Sequence, residues 1–224
     1  MFDFGKALRY INSEEYKLEK AAKAERERQK EELRKKTACF TGHRPPKLGG
    51  YDIKNPKMML LKEKLIKTIE MVIEEEGVTR FISGGALGTD TLAFYCVHFL
   101  KDQYPHIKNI LSVPFENQDK VWSEEQKKWY RKMFNLADEV IYVDKINDYI
   151  VDDATVGDYH PSKLQKRNEY MVDNSKVVIA VYDGSKGGTS NCLWYARKSI
   201  EKRVIYQLDP NYEFRISISY MGIC

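Results

Sequence analysis

The sequence predicts an α/β protein: a Rossmann-like, doubly wound and mainly parallel sheet flanked by helices, with a helical extension at its N-terminus. Three observations carry that expectation. Six short apolar runs alternate with helical patterns from residue 37 onward, the signature of successive strand–helix units. One run, Val177-Val178-Ile179-Ala180-Val181, is apolar at every position, as a central parallel strand covered on both faces requires. Polar and glycine-rich residues gather at the C-terminal ends of the runs and not at the opposite ends. That is the edge along which open parallel sheets bind ligands.

Residues 1–36 form the expected extension. Phe2, Phe4, Leu8 and Ile11 make a small apolar docking patch, and no basic start followed by an apolar core marks a secretory signal. Residues 12–36 are rich in Glu, Lys, Arg and Ala without glycine or proline, which favours a solvated helix. Within it Glu31/Lys35 and Glu32/Lys36 are spaced for i, i+4 pairing. Residues 37–210 form the domain proper. Its strands are expected at Thr37–Thr41, Val78–Ser83, Asn109–Pro114, Glu139–Val143, Lys176–Tyr182 and Arg203–Leu208, with helices near 55–76, 89–103, 124–137, 163–174 and 189–201. Leu61, Leu65, Ile69 and Val72 share one face of the first helix, and Leu92, Tyr95 and Phe99 mark the buried side of the second. Residues 144–162 are polar without a period, a loop positioned to close over a ligand. Residues 211–224 read as a C-terminal tail.

Composition narrows the function classes. No apolar run approaches the roughly 18–20 residues that span a bilayer. Cys39, Cys96, Cys192 and Cys224 are scattered, as are His43, His98, His106 and His160. No metal-ligand spacing results, so reduced thiols, no metal and a cytoplasmic location are expected. The net charge of +4 suits a phosphorylated ligand. It lacks the concentrated basic stripe of a nucleic-acid surface, so a small nucleotide, rather than a nucleic acid, is the expected partner.

The chemistry is expected in four places. Phe81-Ile82-Ser83-Gly84-Gly85-Ala86-Leu87-Gly88-Thr89-Asp90 runs from a strand through glycines into a helix, where residues without Cβ and free first-turn N–H groups make an anion cradle. Gly187-Gly188-Thr189-Ser190 repeats the pattern, its hydroxyls serving equally as helix caps. In Thr41-Gly42-His43-Arg44-Pro45-Pro46, Arg44 is suited to grip a phosphate or lie against a base, while His43 has no evident partner. Asp90 suits a helix cap or a ribose contact, and Lys166-Arg167-Asn168 opens a helix behind the polar loop.

These residues carry a resemblance. CFTGHRPPKLGGY, FISGGALGTDTLA, KRNEYMVDNSKVVIAVYDG and GGTSNCLWYARK are similar to motifs of the SLOG superfamily, which includes DprA/Smf and LOG proteins, and above all to its YpsA-like branch in bacteria and phages. The resemblance spans most of residues 37–208. It implies a nucleotide-derived ligand, such as NAD or ADP-ribose, lined by Gly42, Arg44, Ser83, Gly84, Gly85, Gly88, Asp90, Arg167, Asn168, Gly187, Gly188 and Thr189, in a sensor that forms homo-oligomers and needs no other cofactor. LOG phosphoribohydrolases carry a carboxylate three residues after the threonine of their second motif; here that position is Cys192. Glu116, at a neighbouring strand end, is the substitute an N-glycosidic hydrolase would need. A DprA-like binder of single-stranded DNA is the third alternative.

Overall fold

The computed structural model describes residues 13–198 and 201–222. The apolar positions Phe2, Phe4, Leu8 and Ile11 lie outside them, as do residues 199–200 near the end of the last expected helix. The described chain forms one seven-stranded sheet with helices on both faces. In order, the elements are α1 (Glu14–Lys35), β1 (Thr37–Gly42), α2 (Pro56–Glu76), β2 (Arg80–Ser83), α3 (Thr89–Leu100), β3 (Lys108–Val113), α4 (Glu124–Leu136), β4 (Glu139–Tyr142), α5 (Pro161–Asp173), β5 (Val177–Val181), α6 (Gly188–Lys198), β6 (Arg203–Asp209) and β7 (Arg215–Met221).

The strand order is β4-β3-β2-β1-β5-β6-β7. All neighbours are parallel except β6 and β7. The chain winds outward from β1 to β4, then returns to place β5 on the other side of β1, so strand order reverses between β1 and β5. The loops leaving these two strands diverge to opposite faces and open a crevice between them. The fully apolar β5 sits where its composition demands. Val177, Ile179 and Val181 pack towards Leu61, Leu65, Ile69 and Val72 of α2. Val178 and Ala180 pack towards Met171 and Val172 of α5 and Leu193 and Ala196 of α6.

Three details differ from the sequence expectation. The sheet gains β7, an antiparallel edge strand lying in the segment read as a tail. The turn before it places Glu213 and Phe214 at φ of 50° and 54°, so no glycine flags it. Burial of the Phe214 ring and a hydrogen bond from the Phe214 amide to the Asp209 carbonyl (2.8 Å) hold that conformation. On α3 the buried face is Ala93, Val97 and Leu100, whereas Phe99 is 60% exposed. Almost every position of this helix is apolar or small, so periodicity alone does not choose a face. On α1 the acids pair one residue earlier than expected, Glu31 with Arg34 (2.6 Å) and Glu32 with Lys35 (2.8 Å). Residues 17–30 of α1 are exposed, as a solvated helix should be, and buried Arg34 anchors its base to Glu201 (3.2 Å). No helix among the described residues is long and apolar enough to cross a membrane.

Candidate functional site

A cleft of about 500 Å³ opens at the β1/β5 reversal. It is walled by the end of β1 (Gly42) and the loop after it (His43, Arg44, Lys47), the first turn of α3 (Asp90), α5 (Leu164, Arg167, Asn168), the β5–α6 turn (Lys186, Gly187) and the start of α6 (Gly188, Thr189). Eight of the twelve expected ligand residues therefore meet here: Gly42, Arg44, Asp90, Arg167, Asn168, Gly187, Gly188 and Thr189. Ser83, Gly84, Gly85 and Gly88 do not line it; they build the wall behind.

The two glycine turns differ in kind. In the first, backbone N–H groups are used internally. Gly85 donates to Ser83 Oγ (3.3 Å), Ala86 to Asp90 Oδ2 (3.4 Å), Thr89 to the His43 carbonyl (3.2 Å) and Thr91 to the Ala86 carbonyl (3.1 Å). Asp90 thus supplies, at the α3 N-terminus, the negative charge that a phosphate was expected to bring. The glycines of this turn answer to packing. Gly88 has φ 98°, and a Cβ there would lie 2.6 Å from the His43 carbonyl oxygen; at Gly84 a Cβ would fall 1.5 Å from the Arg167 guanidinium. Arg167 therefore lies directly on the turn, its Nη1 donating to Asp90 Oδ2 (3.4 Å), with both side chains buried. Burial raises the Asp90 carboxyl against the pull of Arg167, and burial lowers the Arg167 guanidinium against the pull of Asp90. Arg167 Nε is buried without a partner.

The second turn is open. Gly187 and Gly188 are exposed, with nothing within 4 Å of where a Cβ would project. Ser190 Oγ accepts from the Gly187 amide (2.9 Å), which leaves the first amides of α6 to face an incoming group. Arg44 and Lys186 stand exposed at the rim. Of the two cradles expected, this one can take an anion without first breaking internal bonds.

His43 acquires the partner its sequence context lacked. Asp183, just past β5, gives its amide to His43 Nε2 (3.1 Å) and holds Oδ1 2.8 Å from the same nitrogen. A neutral ring accepts from the amide, whereas a protonated ring donates to the carboxylate. Burial holds His43 below its ordinary value, with Asp183 pulling the other way. Burial also works to raise Asp183, but the hydroxyl and amide of Ser185, with His43 and Lys47, hold it well below the carboxylate range. Lys47 bonds Ser185 and lies 3.4 Å from Asp183. A depressed carboxyl stabilises the fold fully above its unfolded value of about 4 and loses that contribution as pH falls through its lower folded value. Asp183→Asn is accordingly expected to melt a few degrees below wild type near neutral pH. The two curves should converge in strong acid; a gap that stays constant across the titration would remove this carboxylate from the pH response.

Glu116 is elsewhere. It is exposed, pairs with Lys145 (2.6 Å), and lines a separate cavity on the β3–α4 side. Cys192 is fully buried, and burial pushes its thiol up to about 11. Of the expected basic pair only Arg167 reaches the cleft, since Lys166 turns to Glu169 (3.0 Å). The polar loop 144–162 is ordered by one buried ammonium. Lys163 Nζ donates to Asp144 Oδ2 (3.0 Å) and to the carbonyls of Thr155 (2.6 Å) and Asp158 (2.9 Å). Sequence reasoning passed over Asp183 and Lys163 because their partners lie on other elements.

The YpsA model, described as the YspA SLOG family, matches residues 38–211. The chain is 52% identical over 168 residues to the uncharacterized SPbeta prophage-derived protein YoqJ of Bacillus subtilis, covering 75% of this chain and 98% of that one. It is 29% identical over 158 residues to a UPF0398 protein of Brevibacillus brevis, covering 70% and 78%. Among solved structures, DNA processing protein A from Helicobacter pylori, which binds single-stranded DNA, aligns with a TM-score of 0.42 and 20% identity. That alignment covers 72% of this chain and 60% of the other chain's length.

Proposed function

This chain belongs to the YpsA SLOG family, and from that premise we propose that its β1/β5 cleft binds a phosphorylated nucleotide and acts as a sensor of it. One observation carries the reading: the free first turn of α6 faces the same cleft as Arg44, Lys186 and the unpartnered Nε of Arg167. Helix N-terminal amides and a guanidinium are the donors that a phosphate's oxygens match. The cleft's size lies within the roughly 300–1,000 Å³ of small-molecule sites. Binding without turnover is the better-supported half of the reading. Asp90 is the sole carboxylate among the lining residues and is engaged by Arg167, and the lining imidazole of His43 is engaged by Asp183, so no carboxylate free for acid/base work stands in the described wall.

A thermal-shift panel of nucleotides tests it. A bound nucleotide at about 100-fold its dissociation constant adds roughly 2.7 kcal/mol, a rise of about 5–10 °C for a chain of this size. Lys186→Glu, exposed and unpaired among the described residues, should fold normally and lose most of that rise. A rise unchanged by Lys186→Glu and by Arg44→Ala would move the ligand away from this cleft.

A further inference from the structure

The His43 ring is engaged on one side only. Its side chain is 7% exposed and lines the β1/β5 cleft with Lys47, Ser185 and Lys186. Nε2 is turned to Asp183, which does not itself line the cleft but holds Lys47 and Ser185 as well. Nδ1, the other ring nitrogen, has no partner among the described residues and is not sealed from solvent. The backbone of His43 is pinned on both sides. Its amide donates to the Val181 carbonyl (3.3 Å), and its carbonyl accepts from the Thr89 amide (3.2 Å) and hydroxyl (3.1 Å). A fixed imidazole thus meets a carboxylate at one nitrogen and leaves the other for whatever enters the cleft.

We propose that His43 is a ligand-binding residue whose ring takes up a proton when an oxyanion enters the cleft, so that binding is tied to pH. This rests on the phosphate reading of the cleft given above and adds a regulated donor to it. A count of donors and acceptors carries the argument. Asp183 Oδ1 lies 2.8 Å from Nε2, and an oxyanion at Nδ1 is a second acceptor on the far side of the ring. A neutral imidazole has one N–H. Whichever nitrogen carries it, the other turns a lone pair towards a negative oxygen. The imidazolium donates to both. Its counter-ion is in place, because Ser185, His43 and Lys47 outweigh the burial that would raise Asp183. Without an anion, burial holds the ring below its ordinary value; Asp183 opposes this, while Lys47 and Lys57 add to it. The free ring is therefore neutral near neutral pH, and a negative group beside it favours the charged form. Affinity for an anion must then rise as pH falls, and level off below the value of the free ring. Asp90, the other titratable group of the wall, is raised by burial against Arg167 and acts in the same direction, so the test has to separate the two.

The probe is inorganic sulfate, an oxyanion whose own charge does not change between about pH 5 and about pH 8, the window in which histidine titrates. Isothermal titration of the full chain at constant ionic strength, in two buffers of unlike ionisation heat, reads both affinity and proton uptake. Wild type is expected to bind sulfate at least about fivefold more tightly at about pH 5 than at about pH 8. Between those limits its binding heat should differ between the two buffers, as proton uptake requires. His43→Gln keeps the backbone contacts and an amide donor but cannot take up the proton. Its affinity should change by less than about twofold over the same range. A rise in His43→Gln as large as in wild type assigns the response to Asp90 and overturns the proposal. So does wild-type binding with neither pH dependence nor proton uptake, a result that needs no variant. Either result leaves the phosphate cleft standing. No binding of sulfate by wild type at either pH overturns the phosphate reading itself, and this inference with it.

Discussion

Lys163→Met is expected to lower stability by about 3–5 kcal/mol, the range for stripping one partner from a buried ion pair. The melting temperature should fall by roughly 6–20 °C. The Lys163 side chain is 2% exposed and that of Asp144 is 1% exposed. The ammonium ties three points of one loop, the Asp144 carboxylate and the carbonyls of Thr155 and Asp158. Without it, Asp144 Oδ2 keeps only the Gly157 amide (2.7 Å), and Oδ1 already has no partner. The carboxylate would then be buried without compensation, and residues 144–160 would gain freedom to open. Limited proteolysis should cut the variant within this loop under conditions that leave wild type intact. Lys163→Met combined with Asp144→Leu should recover part of the loss, because the stranded charge goes too. A loss below about 1 kcal/mol would mean that the loop holds together by its other contacts.

Arg167→Leu is expected to act twice, on stability and on binding. Arg167 and Asp90 are both buried, and the guanidinium lies directly against Gly84. Removing it leaves the Asp90 carboxylate with the Ala86 amide as its near donor. About 3 kcal/mol should be lost, and the double variant with Asp90→Asn should return part of it in a double-mutant cycle. Binding should fall by about 10–100-fold even where the fold is restored, since charge-assisted hydrogen bonds contribute about 1.5–3 kcal/mol each. Asp90→Asn alone keeps the guanidinium in place and should bind nearly as wild type. If the double variant binds a nucleotide as tightly as wild type, Arg167 is a structural cation and the ligand does not reach it.

The sheet was legible because parallel strands buried on both faces must be apolar throughout, as Val177–Val181 is, and because each βα unit ends in its own polar loop. The site was legible as far as local backbone chemistry goes: Gly187-Gly188-Thr189 opens a helix whichever strand it follows. What stayed hidden depends on which strands become neighbours. His43 and Asp183 are 140 residues apart and meet only because β5 returns beside β1. The use of Asp90 as the anion of the first glycine turn requires Arg167 from α5, 77 residues away. Strand β7 was missed for a different reason: its turn substitutes packing of Phe214 for the glycine that normally marks a left-handed residue. The loop at 144–162 looked structureless because its order comes from one lysine outside it.

The measurement closest to the central claim is isothermal titration of the full chain with ribonucleoside 5′-monophosphates and, in parallel, with the same nucleosides lacking phosphate. If the α6 turn, Arg44 and Arg167 hold a phosphate, at least one nucleotide should bind at least about 30-fold more tightly than its nucleoside, a difference of about 2 kcal/mol. Lys186→Glu should erase most of that difference. Equal affinity for nucleotide and nucleoside, or no binding of either, would contradict the account.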